Sequence, residues 1–188
     1  SLGIGDPAIL LRELLKKPEN PRHGTSLIMH CDTAKTGYWK RIADRLGIHH
    51  IDPRSTDPLK VINELIASEY VITESLHGAI IADAYNIPWC PITTMPSINQ
   101  FKWHDWCETI NIDYQPAPLV SIYNDPSNSL IKSGINKGKA MLGERQLKAL
   151  LKEKKSYNSD ASIISSQISQ MLEKLEQLTV DAKSLESV

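Results

Sequence analysis

The residues best placed to do chemistry stand together at Glu74-Ser75-Leu76-His77-Gly78. Ser75 is a good N-cap for a helix beginning there, and Gly78 in its first turn permits close backbone approach. The free N–H groups of such a turn, added to the helix dipole, make a seat for a phosphate or a carboxylate. Histidine titrates near neutrality, so His77 could hydrogen-bond to that anion or give a proton to a group beside it. The plain alternative is that Ser75 only caps a helix and His77 is a satisfied polar residue under a loop. A lone Ser-x-His-Gly pattern leans toward the plain alternative.

Other candidates come from the flanking segments. In Phe101-Lys102-Trp103-His104-Asp105-Trp106 the two tryptophans are three apart and share an apolar face. Lys102 and Asp105 share another, where they could form a surface ion pair, or Lys102 could reach an anion. His30 and Thr93 each stand at or just after the end of a short apolar run, whereas Lys35, Arg41 and Arg54 read as solvated charges, Arg54 being the one that follows a strand end. Asp83, two turns beyond His77, reads as exposed. No Walker loop, GxGxxG fingerprint, HExxH helix or GxSxG elbow occurs, and the scattered acids imply no metal.

Positioning these groups falls to short alternating elements. Thr25 to Met29, Ile48 to Asp52, Tyr70 to Thr73 and Trp89 to Ile92 read as strands. Asp6-Pro7 and Asp57-Pro58 are helix starts with proline in the first turn, the second leading an apolar face of Leu59, Ile62, Leu65 and Ile66. Tyr38 to Leu46 has helical spacing and stops at Gly47; Ser75 to Tyr85 and Phe101 to Ile110 complete the set. Short strands alternating with helices predict an α/β fold, a Rossmann-like doubly wound parallel sheet. Ligands bind such sheets off the carboxyl ends of the strands. His30, Asp52 to Arg54, Glu74 to His77 and Thr93-Thr94 should therefore converge on one edge.

After Ile112 the pattern changes. DYQPAPL and NDPSNSL are turn-rich, Asn136 to Lys155 reads as a basic helix, and Ala161 to Leu178 as an amphipathic one. Ile163, Ile164, Ile168, Met171, Leu172 and Leu175 share a face that suits either a partner domain or a short coiled-coil seam. Three parts result: a helix and linker over 1–23, a Rossmann-like domain over 24–135 and a helical extension over 136–188.

The totals set outer limits. With 188 residues, the chain is long enough for one well-buried domain and short for two. A net charge of −1 gives no footprint for nucleic acid. No apolar run approaches the ~20 residues that span a bilayer. Cys31, Cys90 and Cys107 form no CxxC pair, which fits a reducing cytosol better than a disulfide framework. The opening SLGIGDPAILL, without an initiator methionine, reads as an entry midway through a longer protein.

Four segments occur in an order that resembles a known family: GDPAILL (Gly5 to Leu11), LIMH (Leu27 to His30), ITESLHGAIIADAYNIP (Ile72 to Pro88) and FKWHDW (Phe101 to Trp106). Together they resemble the polysaccharide pyruvyl transferases, with the SLHGAIIADAYNIP block the specific part. The resemblance implies a two-domain, GT-B-like fold with the site in the cleft between domains, this chain being the C-terminal half. It implies phosphoenolpyruvate as donor, no further cofactor, and two hydroxyls of a glycan or lipid-linked sugar as acceptor. The Leu-His pair of the family maps to Leu76-His77, making His77 the expected general acid. Substrate contacts are then expected from Ser75, Leu76, Gly78, Glu74, His30, Lys102 and Thr93. Some relatives carry an arginine before the Leu-His pair, where this chain has Ser75.

Two other readings stay open: a GT-B glycosyltransferase half that seats a nucleotide sugar on the same helix terminus, and a non-catalytic binding module using the terminal helices. The expected setting is cytoplasmic, at the inner face of the membrane if the acceptor is lipid-linked. The expected partners are the N-terminal half and a second copy through the C-terminal helices.

Overall fold

The structure, a computed structural model, describes residues 5–95, 98–122 and 130–186. At its centre are five strands: β1 (His23–Ile28), β2 (His49–Ile51), β3 (Ser68–Thr73), β4 (Trp89–Thr93) and β5 (Ala117–Pro118). They form one all-parallel sheet in the order β2-β1-β3-β4-β5. Ile28 stands level with Ile51 on one side and Thr73 on the other. The connections change direction between β1 and β3, which creates the crevice where ligands of such sheets bind. This is the Rossmann-like α/β fold expected from the strand–helix alternation.

The helices are α1 (Leu11–Leu14), preceded by a 3-10 turn over Pro7–Leu10, α2 (Cys31–Ala34), α3 (Tyr38–Leu46) and α4 (Pro58–Ile66). Then follow α5 (Leu76–Ala84), α6 (Gln100–Thr109), α7 (Leu130–Glu153) and α8 (Ala161–Glu186). Their ends follow local chemistry. The Asp6 carboxylate accepts from Ala8 N–H at 2.8 Å and that of Asp57 from Lys60 N–H at 3.1 Å, each satisfying a donor of a first turn. Gly47 closes α3 at φ 67°, a left-handed conformation that glycine adopts without strain.

Strand alternation divides the core in two. Ile28, Val71 and Trp89 face one cluster with the 3-10 turn, α4, α5, α6 and α8. Leu27, Met29, Ile72, Cys90 and Ile92 face the other, with Trp39 and Ile42 of α3 and Leu147 of α7. Trp103 and Trp106 are buried beside Trp89, as their shared face suggested.

Several expectations need correction. Asp83 is buried at 3% exposure rather than exposed, because α5 is covered on all sides from Gly78 to Ala84. Its carboxylate accepts from Trp89 Nε1–H at 2.9 Å and from the backbone N–H and hydroxyl of Ser159. Leu59 is 54% exposed; Val61, Ile62, Leu65 and Ile66 make the packed face of α4. β5, inside the stretch DYQPAPL, went unseen because two residues carry no period, and Pro118 is tolerated there because β5 is an edge strand. α2, a single turn, was also unseen. α7 starts at Leu130 and α8 runs to Glu186, both beyond the expected bounds. Pro96 and the stretch Asn124 to Ser129 lie outside the described residues.

Candidate active site

α5 starts at the change of direction in the sheet and sits unusually close to it. A Cβ on Gly78 would lie 2.7 Å from Thr73 Oγ1 and 2.9 Å from Ile28 Cγ2, so only glycine lets the helix approach here without something shifting. The turn is locally braced: Thr73 Oγ1 accepts from Ser75 N–H at 3.0 Å and donates to the Ser75 carbonyl at 2.7 Å. Ser75 Oγ caps the helix by accepting from Gly78 N–H at 3.4 Å. Ser75 is thus a cap, and two first-turn donors remain: among the described residues, none accepts from the N–H of Leu76 or His77.

Those donors belong to the rim of a cleft of about 370 Å³ lined by Asp6, Pro7, Leu76, His77, Lys102 and Asp105, among others. His77 is 70% exposed, and its Nε2 lies 3.9 Å from Asp6 Oδ2. The other Asp6 oxygen is held by Ala8 N–H, which fixes the carboxylate toward the imidazole. Lys102 comes from the first turn of α6, where Asn99 Oδ1 accepts from its backbone N–H at 3.3 Å. Among the described residues no ion pair joins Lys102 to Asp105, so of the two alternatives for Lys102 the surface pair is not made. The cleft therefore brings together a cation, a histidine, two first-turn N–H groups and the carboxylates of Asp6 and Asp105.

Glu74, His30 and Thr93 do not line this cleft. Glu74 is buried at 1% exposure. One of its oxygens accepts from both the N–H and the hydroxyl of Thr94 at 2.6 Å, and the other from His30 N–H at 3.1 Å. One side chain thereby ties the ends of β1, β3 and β4 together. His30 caps α2 through Nδ1, which accepts from Asp32 N–H at 3.3 Å, and the Thr93 hydroxyl donates to the Met95 carbonyl at 3.4 Å. Convergence of the strand ends is real for His30, Glu74 and Thr94. Arg54 spends its guanidinium on Asp52, at 2.7 and 2.9 Å, holding that carboxyl down at about 2. Among the described residues no group of three His, Cys, Asp or Glu side chains is arranged to share a metal ion.

Asp6 and Asp105 enter the cleft without having been singled out as site residues. From the sequence, Asp105 reads only as a partner for Lys102. The available signal for Asp6 was its place in GDPAILL, one of the segments carrying the family resemblance.

Residues 2–94 match the family model for polysaccharide pyruvyl transferase. The chain belongs to this family. It is also similar to the succinoglycan biosynthesis protein ExoV of Rhizobium meliloti (strain 1021), 40% identical over 119 residues. That alignment takes in 61% of this chain and 36% of the relative, so the chain spans about a third of the length of the curated relative it matches. No solved structure matches it significantly. The matched residues of this pyruvyl transferase family member include Asp6, Leu76 and His77 but stop short of Lys102.

Proposed function

We propose that the protein transfers pyruvate from phosphoenolpyruvate to a sugar of an exopolysaccharide or cell-surface glycan, forming a ketal. This chain supplies the C-terminal half of a two-domain, GT-B-like enzyme. The observation that carries the reading is the joint placement of His77, Lys102 and the open first turn of α5 around one cleft, in a member of this family.

The chemistry follows from the donor. His77 gives a proton to the methylene carbon of phosphoenolpyruvate, breaking its double bond and leaving cation-like character on the neighbouring carbon. A sugar hydroxyl attacks that carbon and its proton goes back to the imidazole. A second hydroxyl of the same sugar then displaces phosphate, which leaves carrying that hydroxyl's proton. Negative charge on the bound donor favours the imidazolium needed for the first step. The Asp6 carboxylate orients the ring. Leu76 and His77 N–H groups and the Lys102 ammonium would hold the phosphate or carboxylate and stabilise the leaving group. Lys102 thus supplies charge that some relatives draw from an arginine at the Ser75 position. Glu74, His30 and Thr93 act through the strand ends that set the height of this turn.

The test uses the full-length protein with phosphoenolpyruvate and a glycan acceptor, following acceptor-dependent phosphate release and gain of pyruvate on the glycan. Thermal stabilisation by phosphoenolpyruvate and not by nucleotide sugars is expected. Stabilisation by a nucleotide sugar alone, with no phosphate release, would replace this reading with that of a glycosyltransferase.

A further inference from the structure

The outer surface of α7 differs in character from the rest of a chain whose net charge is −1. Lys137, Met141, Arg145, Lys148 and Lys152 follow one another at intervals of four, four, three and four, which places them in one stripe along the helix. The opposite side packs on the sheet. Leu147 is fully buried there, and a Cβ on Gly143 would meet Trp39 at 3.1 Å and Val120 at 3.2 Å. No acidic residue falls within the stripe. Glu144, at its border, is already engaged by Arg45 at 2.8 Å and Lys148 at 3.6 Å.

A run of charges alone is usually a solvated face. Here it is interleaved with apolar groups that water does not favour. Met141, in the middle of the stripe, is 73% exposed; Leu142 beside it is 47% exposed and Ile135 54%. An open groove of about 530 Å³ runs alongside, lined by Tyr38, Arg41, Arg45, Lys137, Met141 and the Arg45-paired Glu144, among others. The Arg41 guanidinium lies 4.5 Å over the Tyr38 ring there, adding cation to the same surface. Lysine and arginine clustered along one helix face are what an anionic lipid surface attracts.

We propose that this face of α7, with the adjoining face of α3, docks on the surface of an anionic phospholipid bilayer. Lysine and arginine meet headgroup phosphates, while Met141 and Leu142 enter the boundary of the acyl region. Charge complementarity selects this occupant: a predominantly basic face, its one bordering acid already paired with Arg45 and Lys148, fits a laterally continuous anionic surface. Topology gives the contact a use. β5 runs parallel to the other strands, and α7 returns toward their starts, where Tyr157 bridges Trp89 at the start of β4. The early part of α7, with Lys137 and Met141, therefore lies toward the edge that carries the candidate active site, on the other face of the sheet. The proposal does not depend on pyruvyl transfer.

The measurement is co-sedimentation of the full-length protein with phosphatidylcholine vesicles, with and without phosphatidylglycerol. Binding is expected only with phosphatidylglycerol and should weaken as salt rises. Replacing Lys137, Arg145, Lys148 and Lys152 by Glu should cut binding by roughly tenfold or more. Should that variant fail to fold, Met141→Asp with Leu142→Ser tests the apolar part of the same face and should also release the protein. Both variants should retain turnover of a soluble acceptor, which separates loss of docking from loss of catalysis. Equal binding to both vesicle types, unchanged binding by the folded variants, or preference for a nucleic acid duplex over the anionic vesicles would each overturn the proposal.

Discussion

The two ends of α5 put polar residues at opposite edges of the same sheet and treat them in opposite ways. At the starting end, His77 is 70% exposed and two first-turn N–H groups meet no protein acceptor among the described residues. At the far end, two turns on, Asp83 is 3% exposed and receives three hydrogen bonds. Tyr85 nearby donates to the carbonyls of Leu11 and Leu15. Residue type does not explain the contrast, since histidine and aspartate are both at home at a surface. What differs is the cover: the segment after α7 folds back over the end of α5, and nothing described closes over its start. One end is finished as structure, and the other is left open to solvent.

The contrast predicts that substitutions at the two ends fail in different ways. His77→Ala should lower pyruvyl transfer by about 10²–10⁴-fold while leaving thermal stability nearly unchanged. A variant with normal turnover would remove His77 from the mechanism. Asp83→Ala should do the reverse, leaving the buried Trp89 donor and the half-buried Ser159 donors without their acceptor at a cost on the order of 3 kcal/mol. Denaturant unfolding would show it, and a loss under ~0.5 kcal/mol would mean water reaches that end. Gly78→Ala lies between the two. Its Cβ would press on Thr73 and Ile28, so about 1–3 kcal/mol of stability should be lost. Activity should fall with it, because the turn that carries His77 must move.

How much of this was legible in the chain follows from the range of the interactions involved. The helix starts at Asp6-Pro7, Asp57-Pro58 and Ser75 could be read because a cap and its donor lie within three residues. The buried Trp103 and Trp106 could be read from helical spacing. Asp83 could not, because its partner Ser159 is 76 residues away. The cleft was visible only in pieces for the same reason. His77 and Lys102 stood out by type and position, but Asp6 meets His77 across 71 positions and looked like a simple cap. Glu74 was correctly placed at a strand end, yet its inward turn toward Thr94 depends on β4 lying beside β3.

The weakest expected effect belongs to the finished edge and comes from acid. His23, at the start of β1, stacks on His49 with ring centroids 3.6 Å apart, and Glu64 lies 3.5 Å from His49 Nε2. Burial first, and then the neighbouring His49, push the His23 pKa below its ordinary 6.5. Burial also lowers that of His50. A folded-state pKa below the unfolded one means the unfolded chain binds protons more readily. The stability these neutral rings support is therefore complete above about pH 6.5 and declines as the pH falls through and below that value. Unfolding free energies at pH 7.5 and 5.5 should show the decline, and His23→Gln should make it shallower without altering the value at pH 7.5 much. The same substitution should leave the alkaline limb of the pyruvyl-transfer profile in place, since His77, the proton donor, stands at the other edge. If His23→Gln shifted that limb as well, the two edges would be electrostatically coupled, and the division between a finished end and an open one would fail.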